Sequence, residues 1–233
     1  MFLWKHAYSN ATITRIDQLE NNGEYAAVEL VVQRVSNAQK TITKLLADSI
    51  YDEAGGSTKR LTGLRACCNE TTTTAYGDIQ EADISQWEGK RNSTTESMEL
   101  DVLRTLCSDA KIYDGPMGKP DLIVSTETLF NAVVGILQLQ QRFTKDERTA
   151  KAGFTGVEFE GKSFFPDDYC PSGWAFAVNS NFYGFAVHTQ GYFTRTKWEK
   201  IPSSAEDKAM KLLFDGNSVC SNRKAHKAHE NLS

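Results

Sequence analysis

Four histidines, His6, His188, His226 and His229, are all that the chain offers for general-base chemistry near neutral pH. A cysteine nucleophile needs such a base beside it. The best pairing is Cys170 with His188, because Asp168-Tyr169-Cys170-Pro171 reads as a tight loop and His188 ends a predicted strand. Against it, a lone thiol before proline is more often a packed turn residue. Cys220, His226 and His229 place zinc-ligand types within ten residues, but a structural zinc site needs four ligands, and a solvated basic tail is the simpler reading. Paired carboxylates occur at Asp167-Asp168 and at Glu158 and Glu160, where the period of a strand puts both glutamates on one face. Surface strand residues explain the glutamates equally well. The chain has no GxGxxG, GxxxxGK[ST], HExxH or GxSxG. Gly115-Pro116-Met117-Gly118-Lys119 lacks the ending of a phosphate loop and reads as a turn. No catalytic, cofactor-binding or metal-binding residue is assigned from these patterns.

The bulk properties exclude further classes. With 233 residues, 40% apolar and 24% charged, the chain is long enough for one large domain or two interlocked lobes and is expected to bury roughly 70% of its unfolded surface. Its net charge of −4 argues against a protein that coats nucleic acid. No apolar run approaches the ~20 residues that span a bilayer. Met1-Phe2-Leu3-Trp4 is followed at once by Lys5 and His6, which leaves no room for a signal peptide, so a cytosolic chain is expected. Five cysteines, without a CxxC pair, read as reduced and mostly buried. The sequons at Asn10, Asn69 and Asn92 have no secretory context.

The elements that would position any site follow from periodicity. Residues 7–14 alternate as a strand. A long helix is expected over 17–50, capped by Asp17, with Ala27, Leu30, Val31, Val35, Ala38, Ile42, Leu45 and Leu46 on one face and a weak point at Asn21-Asn22-Gly23. Gly55-Gly56-Ser57 ends it, and 61–68 is a short buried run. A second helix is expected over 95–107 from a threonine cap. Residues 120–125 form an apolar strand feeding a third helix through Ser125 or Thr126. Strands at 157–159, 163–165, 174–178, 182–188 and 191–198 follow. Residues 204–213 read as a short helix or strand, and Asp215-Gly216-Asn217 as a turn before a last strand at 218–221. The fold class is α+β, without repeats.

Aromatic residues crowd the C-terminal half, from Phe154 through Phe164, Phe165, Trp174 and Phe185 to Trp198; some are expected to face partners, and packing within one core explains them equally well. The run Leu137-Gln138-Leu139-Gln140-Gln141-Arg142-Phe143-Thr144, then Ala152-Gly153-Phe154, Phe159-x-Gly161 and Asp168-Tyr169-Cys170-Pro171-Ser172-Gly173, resembles in order and spacing the signature of tailed-phage major capsid proteins. Gly63-Leu64-Arg65, Tyr76-Gly77-Asp78-Ile79, Trp87, strand 121–124 and Cys220-Ser221-Asn222-Arg223 support it, so the resemblance spans about residues 4 to 223.

The resemblance implies a Hong Kong 97-like phage capsid fold. It would comprise a peripheral domain on a long spine helix (1–55 and 180–212) and an axial domain around a central sheet (56–179 and 213–233). It also implies a non-enzymatic shell subunit, made in the host cytoplasm and located in the virion. Pentamers and hexamers of the chain would enclose double-stranded DNA without binding it specifically, and scaffolding or cement proteins are candidate partners. No cofactor and no membrane are implied. An encapsulin-like compartment shell and a Cys170/His188 hydrolase are the alternatives. Basic residues clustered at Arg223, Lys224 and Lys227 suggest weak, salt-sensitive DNA contact. The family's N-terminal arm and the outgoing strand of its extension loop would lie before Met1. Strand 7–14 is therefore expected as an unpaired remnant of that loop, with weak interfaces and irregular aggregates unless an upstream segment is restored.

Overall fold

The structure is a computed structural model describing residues 2–21, 24–53, 60–70, 75–80, 82–84, 87–141, 157–202, 204 and 206–233. Strand β1 (Lys5–Ile13) buries every odd position and exposes every even one, the period-two signature of a sheet covered on one face. It is not an unpaired remnant. Along its whole length it pairs antiparallel with β10 (Lys208–Cys220), from Lys5 opposite Gly216 to Ile13 opposite Lys208. On its other edge β10 pairs with β7 (Tyr183–Val187), β8 (Thr194–Arg195) and β9 (Glu199–Lys200), completing a five-stranded sheet.

Strand β10 runs straight through Asp215-Gly216-Asn217, where a turn is expected, and so crosses the expected domain boundary at 212. Tertiary contacts overrule the local signal. The Asn217 side chain accepts from the Thr62 amide (2.8 Å) and donates to the Leu3 carbonyl (2.9 Å) and the Thr62 hydroxyl (3.1 Å), so a buried polar group is satisfied inside the sheet. At Gly216 a Cβ would come within 2.9 Å of the Ala186 carbonyl oxygen, and the missing side chain lets the strands pass. The expected strand over 191–198 shrinks to β8 because the backbone turns at Gly191, whose absent Cβ would lie 2.4 Å from that of Asp215, and Phe193 takes a positive φ of 49°.

The expected single helix is two. Thr14, not Asp17, is the N-cap of α1 (Arg15–Glu20): its hydroxyl accepts from the Asp17 amide and the Asp17 carboxylate accepts from the Thr14 amide, both at 3.2 Å. After the expected weak point, α2 (Glu24–Ser49) lies on β1, where Ala7 and Ala11 leave space for it. Ala38 packs with Ala11 and Met210, and Ile42 with Ala7, Leu212 and Phe214, with Leu45 and Leu46 half-buried beside them. Ala27 is outside the residues whose side chains are described. A charge at Leu45 would be dragged into this cluster, so Leu45→Asp is expected to cost roughly 2 kcal/mol or more and to leave the protein insoluble or unassembled. A soluble variant with an unchanged melting temperature would contradict the helix face.

A second sheet of six strands has the order β2 (Arg91–Asn92), β11 (Lys227–His229), β6 (Ala175–Val178), β3 (Leu122–Ser125), β5 (Lys162–Pro166), β4 (Val157–Phe159). Its centre is buried on both faces, which is why β3 up to Val124 and the whole of β6 are apolar instead of alternating. Ile123, Ala175 and Ala177 face a core with α4 (Leu100–Asp109) and α5 (Glu127–Gln141). Val124, Phe176 and Val178 face the opposite core with Tyr51, Trp174 and Leu64 of α3 (Leu64–Cys67).

Helix α4 starts at Leu100 instead of Thr95 because the C-terminal segment takes the preceding backbone. Glu96 bridges to Leu232, and the Met98 amide donates to the Ser233 carbonyl at 2.9 Å. The expected solvated basic tail is likewise the interior of this sheet, with β11 between β2 and β6. Arg223 is buried and Lys227 pairs with Asp109, so Arg223, Lys224 and Lys227 form no exposed DNA-facing cluster. Among the described residues, no helix is long and apolar enough to cross a membrane.

Candidate functional site

The structure does not bring Cys170 and His188 together. Cys170 sits in the loop before β6, its thiol buried and directed at the Trp174 carbonyl (3.5 Å). Burial, reinforced by the Asp167 charge, pushes that thiol up to about 12, the opposite of what a nucleophile requires. His188 follows β7 in the other sheet, with Nδ1 accepting from the Gln190 amide (3.2 Å) and its ring edge-on to Trp4 at 5.7 Å. The hydrolase constellation is absent among the described residues.

The other sequence candidates are also rearranged. His229 points Nε2 at the Thr94 carbonyl (3.1 Å) and leaves the trio expected with Cys220 and His226; Cys67 of α3 takes its place. Glu158 and Glu160 do not share a strand face, since β4 ends at Phe159. Glu160 occupies the turn with a φ of 50° and is paired to Arg104 (2.8 Å) and Lys162 (3.6 Å). Asp167 accepts from the Tyr51 hydroxyl at 2.6 Å and the Tyr169 amide at 2.9 Å, a loop brace. Pro116–Gly118 is a single 3-10 turn, closed by the Ile112 amide donating to the Gly118 carbonyl at 2.9 Å.

What the fold does assemble is the junction between its two sheets. Arg223, fully buried, donates from Nε to the Cys67 carbonyl (2.7 Å), from one terminal nitrogen to the Trp87 carbonyl (2.9 Å) and from the other to the Asn69 carbonyl (2.5 Å). Its guanidinium lies 5.1 Å from the centre of the Tyr76 ring. One planar fork thus satisfies the carbonyls that end α3. Glycine is required on both sides. A Cβ at Gly89 would lie 2.3 Å from the Asn69 oxygen, and one at Gly63 would lie 2.3 Å from the Asp52 nitrogen. Nearby, Arg65 and Arg91 each sit 4.5 Å from the Trp174 ring centre, with Glu53 accepting from both at 2.6 and 2.7 Å.

Several large apolar side chains among the described residues stay exposed. Val28 and Val32, one turn apart on α2, are 63% and 61% exposed, with Ile16 and Leu19 on α1. Tyr8 stands on the face of β1 turned away from α2, and Ile112, Tyr113 and Met117 crown the loop between α4 and β3.

No protein-family model and no curated protein matches the sequence. Solved structures do. The chain is similar to the capsid protein of cyanophage A-1(L), with a TM-score of 0.74 at 12% identity over 98% of this chain and 77% of that one. The capsid of the myovirus phage XM1 gives a TM-score of 0.62 at 12% identity over 99% and 74%. The SrpI encapsulin of Synechococcus elongatus gives 0.63 at 9% identity over 99% and 75%. The fold is the Hong Kong 97-like capsid fold. The long helix expected from periodicity is α2, which takes the place of the spine helix that the resemblance implies. The motif residues 142–144 and 152–154 lie outside the described residues, while Leu137 to Gln141 complete α5. Asp168 to Gly173 form the turn into β6, where Gly173 adopts a φ of 75° against the Leu232 backbone.

Proposed function

We propose that the chain is the major capsid protein of a tailed bacteriophage, a virion component whose pentamers and hexamers tile an icosahedral shell around double-stranded DNA. The observation that carries this reading is likeness over 98% of the chain to a cyanophage capsid protein, in a molecule that leaves apolar side chains exposed on several faces. In this reading the peripheral domain comprises 1–55 and 180–212 and the axial domain 56–179 and 213–233, with β10 carrying the peripheral sheet on to Cys220. The role is structural and needs no catalysis; Cys170→Ala is expected to leave activity against ester and peptide substrates at background, as in the parent chain. A Cys170-dependent turnover would refute that.

The likeness to an encapsulin supports a second reading, a compartment shell that houses protein cargo. Particles purified from the protein's native source and treated with nuclease separate the two. Protected double-stranded DNA is expected. Particles filled with one protein species and free of DNA would overturn the capsid reading in favour of the compartment.

A further inference from the structure

We propose that Cys67, Cys220 and His226 form a buried zinc site that joins α3 to the two strands on either side of the sheet junction. The three residues come from the end of α3, the end of β10 and the residue before β11. Their ligand atoms lie within 4.8 Å of one another, and all three side chains are buried. Thiolate with imidazole is the preferred donor set of zinc, and a tetrahedral ion would draw such ligands to about 3.5–3.8 Å from one another.

The site also has orphaned polar atoms. His226 Nε2 and the Tyr76 hydroxyl are buried and make no hydrogen bond, and Tyr76 packs directly against Cys67 and Cys220. The Tyr183 hydroxyl, packed in the same cluster, is a third buried polar atom without a hydrogen bond, and a cation there would give Nε2, once its proton has moved, a partner. Zinc would take the two sulfurs and Nε2, leaving its fourth position to the Tyr76 oxygen or a water. Two thiolates neutralise the ion, and their protons leave to solvent on binding. Nothing is oxidised. The His226 Nδ1 accepts from the Asn179 amide at 3.2 Å, which places the ring proton on Nε2 of the metal-free chain. Loading moves that proton to Nδ1 and gives up this long bond, so the Asn179 amide reports on the site.

The test uses the full chain, stripped with a chelator and titrated with Co²⁺ and then Zn²⁺. One cobalt per chain, a near-ultraviolet thiolate-to-cobalt band that zinc abolishes, and a zinc-induced shift of the Asn179 amide resonance are expected. Cys220→Ser and His226→Gln should each weaken binding by at least about tenfold, and Cys107→Ser should not. A thiol count in denaturant covers the event that these variants fail to fold. All five cysteines should react once zinc is removed. A parent chain with five reactive thiols and no cobalt band, equal affinity in Cys220→Ser, or a Cys67–Cys220 disulfide in place of metal would each overturn the proposal.

Discussion

Replacing Arg223 by alanine should lower the melting temperature by roughly 6–20 °C. The substitution strips the donors from the Cys67, Trp87 and Asn69 carbonyls and leaves them buried with too few partners. Removing one side of a buried, charged hydrogen-bond network costs about 3–5 kcal/mol, and each kcal/mol corresponds to about 2–4 °C in a chain of this size. Arg223→Lys keeps the charge but loses the planar fork, so it should fall between the two. Arg195→Ala, at an exposed position of β8, should change stability by about 0.5 kcal/mol or less. Thermal unfolding followed by circular dichroism checks all three. An Arg223→Ala protein that melts with the parent would show that the junction is not held by this side chain.

The second large effect concerns assembly instead of folding. Val28 and Val32 are more than half exposed in the subunit, so Val28→Asp combined with Val32→Asp should leave the folded subunit's secondary structure intact and its stability within about 1 kcal/mol. In the shell proposed above the same stripe is expected to meet a neighbour, where an unpaired carboxylate forced into an apolar contact costs several kcal/mol at every copy of the interface. Particles should therefore be lost completely while the soluble subunit remains. Size-exclusion chromatography with light scattering separates the outcomes. Parent-like particles from the double variant would remove the α1–α2 stripe from the assembly surface.

Much of the fold was legible because local and tertiary signals agree there. The apolar runs of β3 and β6 belong to a sheet covered on both faces, the expected strands at 157–159 and 163–165 are joined by a turn at Glu160-Gly161 whose backbone is left-handed, and the 3.6-residue stripe of α2 packs against a sheet. Elsewhere a long-range contact outweighs the local pattern. Asp215-Gly216-Asn217 carries every mark of a turn, yet Asn217 finds its partners at Leu3 and Thr62, contacts that no window along the chain can show. Basic residues near the C-terminus read as solvated for the same reason: the carbonyls that bury Arg223 come from residues far back in the sequence. The thiol cluster was half visible. Cys220 and His226 are near neighbours in sequence, but Cys67 joins them only through the packing of α3, and His229 turns away because β11 alternates its side chains across the sheet.

Electron cryomicroscopy of the purified 233-residue chain, concentrated under assembly conditions, tests the central claim most directly. Pairing of β1 with β10 along nine residues satisfies one edge of β1, and its other edge is the edge of the sheet. The predicted result is closed, icosahedral shells in whose reconstruction Val28, Val32 and the loop of Ile112, Tyr113 and Met117 lie at contacts between subunits. A protein that remains monomeric with its secondary structure intact at every concentration, or that assembles with those side chains facing solvent, would contradict the account.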